Sequence, residues 1–414
     1  MSSASYNTSV QNVRRRKKHS VPDPTAADGP ISSLVLDLVN DVYKDETGKP
    51  WVFPVVRKVE RMMANESFNT PVEPFQNFAF EEEARSFLLG RNSAAVHEKR
   101  VCSIQSVGGT GALRLAAEFC LRSMHLDTVY IPEFSWANHE GIFHQVGFCV
   151  KKYRYWSTQK QCLDLSGLLA DVKKANKGSV IIFHACSHNP TGTDPSLDEW
   201  REIAELCQTV GLFVIIDCAY QSFASGHTER DAQAVRQFVD LNTEFMVAQS
   251  FSKNFGLYNE RVGNLCVITG QSGGAMAANI RAHLVSLAGD LGLIPSHHGA
   301  AIVTQILQDV QLYQEWRENV ETAIKRLGEV RRGLYQKLTD LQTPGHWERM
   351  LQQRGMFAFV GINAAQVKSL RELYHVYLLR NGRMCLAGLN ESNVDYVAEA
   401  LRDVVQNVSD DARL

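Results

Sequence analysis

The sequence predicts an α/β fold: a mostly parallel sheet flanked by helices on both faces, followed by a smaller α+β domain hung on a long helix. Two observations carry this. Short, nearly continuous apolar runs alternate with amphipathic stretches of helical period, which is how strands buried on both faces and their covering helices read. Near the C-terminus one apolar series continues at three- to four-residue spacing for about seven turns. The 414 residues, 44% apolar and 21% charged, can bury two cores.

The elements follow in order. Residues 1–30 form a polar arm with the basic run Arg14, Arg15, Arg16, Lys17 and Lys18, read as a solvated tail whose composition also resembles a transit peptide or nuclear signal. Residues 31–50 join the smaller domain, 51–315 make the large domain, and 316–414 make the long helix and the rest of the small domain. DTVYIP, GSVIIFHA, GLFVIID and EFMVAQS are the buried parallel strands. DEWREIAELCQTVG places Trp200, Ile203, Ala204 and Cys207 on one helical face before Gly211. The long helix spans Trp316 to Leu341 and is stopped by TPG at 343–345; a strand-like GMFAFVGI, another near HVYLLR, and a helix opening at Ser392 with Asp395 as a capping-box variant complete the chain.

Composition narrows the function. Lys+Arg 43 against Asp+Glu 45 gives net −2, so no global field draws a polyanion and no nucleic-acid partner is expected. Nine scattered cysteines without a C-x-x-C pair suit a reducing compartment. No apolar run reaches the ~20 residues that cross a bilayer, so a non-membrane, intracellular protein acting on a small molecule is expected.

Ligands of open α/β sheets bind beyond the carboxyl ends of the strands, and there the polar residues are unusual. Trp136 follows YIPEFS, Asn189 follows IIFHACSH, Asp217 and Tyr220 follow LFVII, and Lys253 follows MVAQSFS. Asp217 ends five apolar residues, where an ionised carboxylate calls for a cationic neighbour; alone it also reads as a turn or helix cap. Lys253, alone a surface lysine, gains meaning beside Ser250 and Ser252 as a partly desolvated nucleophilic amine. SVGGTGALRLAAEF is a Gly-rich turn opening a helix, an anion site that is neither a dinucleotide nor a Walker motif. Ser250, Ser252 and Arg261 supply further donors. His184, Cys186 and His188 are a conceivable metal set with no further ligand nearby, and no metal is expected. His297 and His298 read as a loop or helix start, and G-x-S-x-G is absent.

Phosphate cup, amine, ring-facing carboxylate and phenolate donors together are what pyridoxal 5'-phosphate chemistry needs. With SVGGTGALR, HACSHNPTGTDP, DCAYQSFASG and AQSFSKNFGLYNERVGNL in one order, the sequence resembles the aspartate aminotransferases, closest to their cytosolic branch, from about Trp51 onward. The resemblance implies a fold type I pyridoxal phosphate transferase, homodimeric and cytoplasmic (with mitochondrion as alternative). The family reaction is L-aspartate + 2-oxoglutarate to oxaloacetate + L-glutamate. It implies that Lys253 bonds the cofactor and shuttles the proton, and that Asp217, backed by His139, pairs with the pyridinium nitrogen. Asn189 and Tyr220 meet the ring oxygen, and Trp136 stacks on the ring. Gly109, Thr110, Ser250, Ser252 and Arg261 hold the phosphate, and Arg383 takes the substrate α-carboxylate.

Departures cluster at the substrate end. Gly289 stands where a partner-subunit arginine grips a distal carboxylate, Asp41 where the family has glycine, and Val72 where a tyrosine reaches the phosphate across the dimer; the loop from Leu291 to Ile294 is apolar. These changes predict poor handling of aspartate. They leave two alternatives open: another reaction of the same cofactor, such as racemisation or β-elimination, and a non-catalytic binding paralogue.

Overall fold

The structure is a computed structural model, and it describes residues 35–64, 75–270 and 273–408. Val72 and the basic arm of residues 1–30 lie outside the described residues.

Seven strands form the central sheet: β1 (Val101–Val107), β2 (Thr128–Pro132), β3 (Cys149–Tyr153), β4 (Val180–His184), β5 (Phe213–Cys218), β6 (Phe245–Ser250) and β7 (Val262–Ile268). Their spatial order is β1-β7-β6-β5-β4-β2-β3. Neighbours from β6 through β3 run parallel, while β7 is antiparallel to both β1 and β6. All four expected strands fall in the parallel block. Their continuous apolarity has a two-sided cause: Ile181, Phe183, Val214, Ile216, Phe245 and Val247 enter one core, whereas Val180, Ile182, Ile215, Met246 and Ala248 enter the core on the opposite face.

Helices close both faces. The helix Leu197–Val210 starts on a capping box between Ser196 and Glu199, ends at left-handed Gly211, and buries the four residues anticipated. The long helix runs Val310–Asp340, six residues earlier than the sequence predicted. Its start is set by Asp309, whose carboxylate accepts from the backbone N–H groups of Gln311 and Leu312, and this cap lay outside the apolar periodicity used to place it. At the C-terminus the expected capping box is corrected: the helix is Val394–Asn407 with no side-chain cap, because the Ser392 hydroxyl donates instead to Asn390 Oδ1 at 2.7 Å.

Two links join segments that are distant in sequence. Leu36–Asp37 pairs parallel with Val376–Tyr377. On the long helix, the buried Arg331 guanidinium donates to the carbonyls of Gly355 (2.6 Å) and Phe357 (2.9 Å), fixing the strand Phe357–Phe359 that pairs with Arg383–Cys385. Among the described residues no helix is long and apolar enough to cross a membrane.

Candidate active site

A cleft opens at the carboxyl ends of β4, β5 and β6, where ligands of open α/β sheets bind. Asp217 sits at its floor because β5 ends there. A buried carboxylate needs compensation, and the fold provides it: His139 Nε2 donates to Asp217 Oδ2 at 2.8 Å. The relay continues from His139 Nδ1 to Ser135 Oγ at 2.9 Å and from there to His184 Nε2 at 3.3 Å. Burial opposes ionisation of Asp217, but the His139 hydrogen bond and the nearby Lys253 hold it below the usual carboxylate range. His184 lies directly beside Asp217 in the β4–β5 register. Burial, reinforced by neighbouring His139, pushes its ring down to about 3, so it stays neutral.

Sequence reasoning took His184 for a possible metal ligand and missed its place in this relay. The signal was its end-of-strand position matching that of Asp217. His188 shares a hydrogen bond with Thr191 Oγ1, and Cys186 is buried. Among the described residues no group of three or more His, Cys, Asp or Glu is gathered to hold a metal.

Lys253 follows β6 in a turn tied to its surroundings: Asn254 Nδ2 donates to the Gln221 carbonyl, and Trp316 Nε1 donates to the Asn254 carbonyl at 2.8 Å. Its side chain is 17% exposed, and the ammonium lies 5.6 Å from the Tyr220 ring centroid. Burial drives the Tyr220 phenol well above its ordinary value. Trp136 precedes the helix Ala137–Val146 and stands edge-on to His139 at 5.4 Å.

One end of the cleft is an anion cradle. The helix Gly108–Arg122 starts there, with Gly108 at φ 65°. A Cβ at Gly108 would lie 2.5 Å from an Arg261 nitrogen, and one at Gly109 would lie 3.0 Å from Ser250 Cβ, so the close approach of these segments requires glycine. Arg261 Nη1 donates to Ser252 Oγ and to the Tyr258 carbonyl. Gly109, Thr110, Ser250, Ser252 and Arg261 line the cleft. An anion cradle at one end and an ionised buried carboxylate at the other fit a ligand bearing a phosphate and a protonated ring nitrogen, with Lys253 in reach of the same cleft.

The opposite side is assembled from distant segments. Asn189 is aimed by its loop, in which Asp194 accepts from the backbone N–H groups of Ser187 and His188. Its Oδ1 accepts from Arg383 Nη1 at 3.2 Å. Arg383 Nη2 donates to the Val39 carbonyl, and the guanidinium lies 4.2 Å from the Phe357 ring centroid. Arg383 is buried behind the cleft and does not line it; Asp41 does. Asp41 Oδ2 is 3.4 Å from Lys253 Nζ, a pairing the sequence did not reveal. Although partial burial opposes its charge, Lys253 and Arg383 hold Asp41 below the ordinary carboxylate range. Gly289 lies in the last turn of the helix Gly274–Asp290, and a Cβ there would meet nothing within 4 Å.

The chain is similar to known proteins. A family model described as aminotransferase class I and II matches residues 34–401. The cytoplasmic aspartate aminotransferase of Gallus gallus is 42% identical over 374 residues, covering 88% of this chain and 90% of that one. The cytoplasmic aspartate aminotransferase of Saccharomyces cerevisiae superposes with a TM-score of 0.88 at 36% identity, covering 91% of this chain and 93% of that one. An aromatic-amino-acid aminotransferase from Burkholderia pseudomallei, covalently bound to pyridoxal phosphate, superposes with a TM-score of 0.87 at 33% identity, covering 92% and 94%.

Proposed function

The chain belongs to the class I and II aminotransferases, pyridoxal phosphate-dependent enzymes, and on that premise we propose how its own residues divide the work of amino-group transfer. When bound, the cofactor supplies an aldehyde that accepts the amino group and a protonated ring that draws off the electrons released at the substrate α-carbon. Lys253 Nζ would hold the cofactor covalently and, when free, would carry the proton taken from the substrate α-carbon. Asp217, kept ionised by His139, holds the proton on the ring nitrogen. Asn189 and Tyr220 would meet the ring oxygen, Trp136 would cover the ring, and Gly109, Thr110, Ser250, Ser252 and Arg261 would hold the phosphate.

Arg383 takes the substrate α-carboxylate. Its fork is already oriented by Asn189, Val39 and Phe357, so little ordering is required on binding. The reaction is transfer between an L-amino acid and a 2-oxo acid, of the aspartate aminotransferase type. The observation that carries these roles is the single cleft shared by Lys253, the ionised Asp217 and the glycine cradle.

A homodimer, a cytoplasmic location and the division at residues 30, 50 and 315 belong to the same proposal. The cytoplasmic relatives from chicken, rice and Caenorhabditis elegans support the location. The test is the visible spectrum of protein reconstituted with pyridoxal phosphate. Colour that converts to the pyridoxamine form on adding an amino acid supports transamination; colour that never responds refutes it and favours a binding paralogue.

A further inference from the structure

The charges of the cleft define which side chains it accepts, given the residue roles proposed above. Four ionised side chains line it: Asp41, Asp217, Lys253 and Arg261; Arg383 stands directly behind. The cofactor engages three of them, its phosphate meeting Arg261, its ring nitrogen Asp217, and its aldehyde Lys253. What remains for the substrate is then one anion in the cleft lining, Asp41, and one cation immediately behind it, Arg383, reached through Asn189.

These two are held in a fixed relation. Arg383 donates to the carbonyl of Val39, two residues before Asp41, so the same backbone segment that orients the guanidinium also places the carboxylate. Asp41 Oδ2 already receives a cation in this structure, the Lys253 ammonium at 3.4 Å. Position 289 contributes no side chain, and no further cation lines the cleft among the described residues.

A substrate whose α-carboxylate is taken by Arg383 therefore projects its side chain beside a negative charge. For aspartate or glutamate this sets two carboxylates together in a partly desolvated site, where like charges repel strongly. We propose that Asp41 is a specificity-determining residue that excludes dicarboxylic amino acids and selects donors with a cationic side chain. Once Lys253 is joined to the cofactor, the cation of the substrate takes the place at Asp41 that the lysine ammonium holds here. Neutral side chains, neither attracted nor repelled, fall between the two.

The test uses ligands that bind without reacting, on the holoenzyme. Succinate and 5-guanidinopentanoate are the aspartate and arginine skeletons without the α-amino group, and calorimetry gives their dissociation constants. The wild type should bind 5-guanidinopentanoate at least about tenfold more tightly than succinate, and Asp41→Asn, which keeps the shape and removes the charge, should lower that ratio about tenfold. Asp41→Gly should do the same. Equal affinities in the wild type, or an unchanged ratio in both variants, overturns the assignment. A wild type that stays colourless after reconstitution instead refutes the function on which the assignment rests; a coloured enzyme with an unchanged ratio refutes only the role of Asp41.

Discussion

The two sides of the cleft are built differently. On the cofactor side each group is answered by others at adjoining strand ends or in the turns and first helical turns that follow them: Asp217 by His139, His139 by Ser135, Arg261 by Ser252. On the substrate side the partners come from opposite ends of the chain, Arg383 meeting Val39 across 344 residues of sequence. Strand ends brought together by one sheet cannot shift singly without disturbing the core, whereas segments that meet only through tertiary packing can exchange a side chain at little cost to the fold. The chemistry is thereby tied to the sheet, and the selectivity is free to change.

The largest effect tests the sheet-borne side. Lys253→Ala should abolish the visible colour of the reconstituted protein and lower turnover on the order of 10⁴-fold, with far-ultraviolet circular dichroism unchanged. Colour equal to that of the wild type would remove Lys253 from the centre of the site and with it the contrast between the two sides. Next in size, Arg383→Lys should keep the colour but lower kcat/KM on the order of 10²-fold, since an ammonium cannot reproduce the fork that bonds Asn189 and Val39 while lying over Phe357. Steady-state kinetics checks it, and a loss of less than threefold would mean that the α-carboxylate is gripped elsewhere.

That contrast also explains what could be read from the sequence. Asp217, Tyr220, Asn189 and Lys253 each follow an apolar run, and the rule that ligands sit beyond strand ends was enough to find them. The two-sided burial of β4, β5 and β6 made those runs conspicuous. His184 was weighed only as part of a conceivable metal set and set aside, because spacing within one strand does not show a partner that is a neighbour across the sheet. On the substrate side, Asp41 was legible as an unexpected acid, yet its pairing with Lys253 was not. Nor were the Phe357 face under Arg383 and the Arg331 clamp that holds it. No local periodicity records a contact made across the whole length of the chain.

A smaller effect probes the relay. The unfolded His184 ring titrates at 6.5, whereas burial and His139 push the folded one down to about 3. Between those values the unfolded chain carries a proton that the folded chain lacks, so stability falls as pH falls, by ~1.4 kcal/mol per pH unit. His184→Gln should lessen this slope by about one proton between pH 6 and 4, as read from urea unfolding of the cofactor-free protein at several pH values. An unchanged slope would show that the ring takes up a proton in the folded state, and the relay would then be charged rather than neutral.

The smallest effect concerns the missing cation. Gly289→Arg should fold well, since a Cβ there meets nothing within 4 Å. An arginine in the last turn of a helix also gains up to ~1 kcal/mol from propensity, with the helix dipole in its favour, so the thermal midpoint should rise slightly. By the resemblance this position serves the neighbouring subunit's cleft, yet its effect on aspartate should stay within about threefold, because Asp41 still faces the incoming carboxylate. Combined with Asp41→Gly, the gain in kcat/KM for aspartate should exceed the product of the two single gains, the signature of two charges acting on one group. A tenfold gain from Gly289→Arg alone would mean that selectivity follows from the cation that is absent and not from the anion that is present.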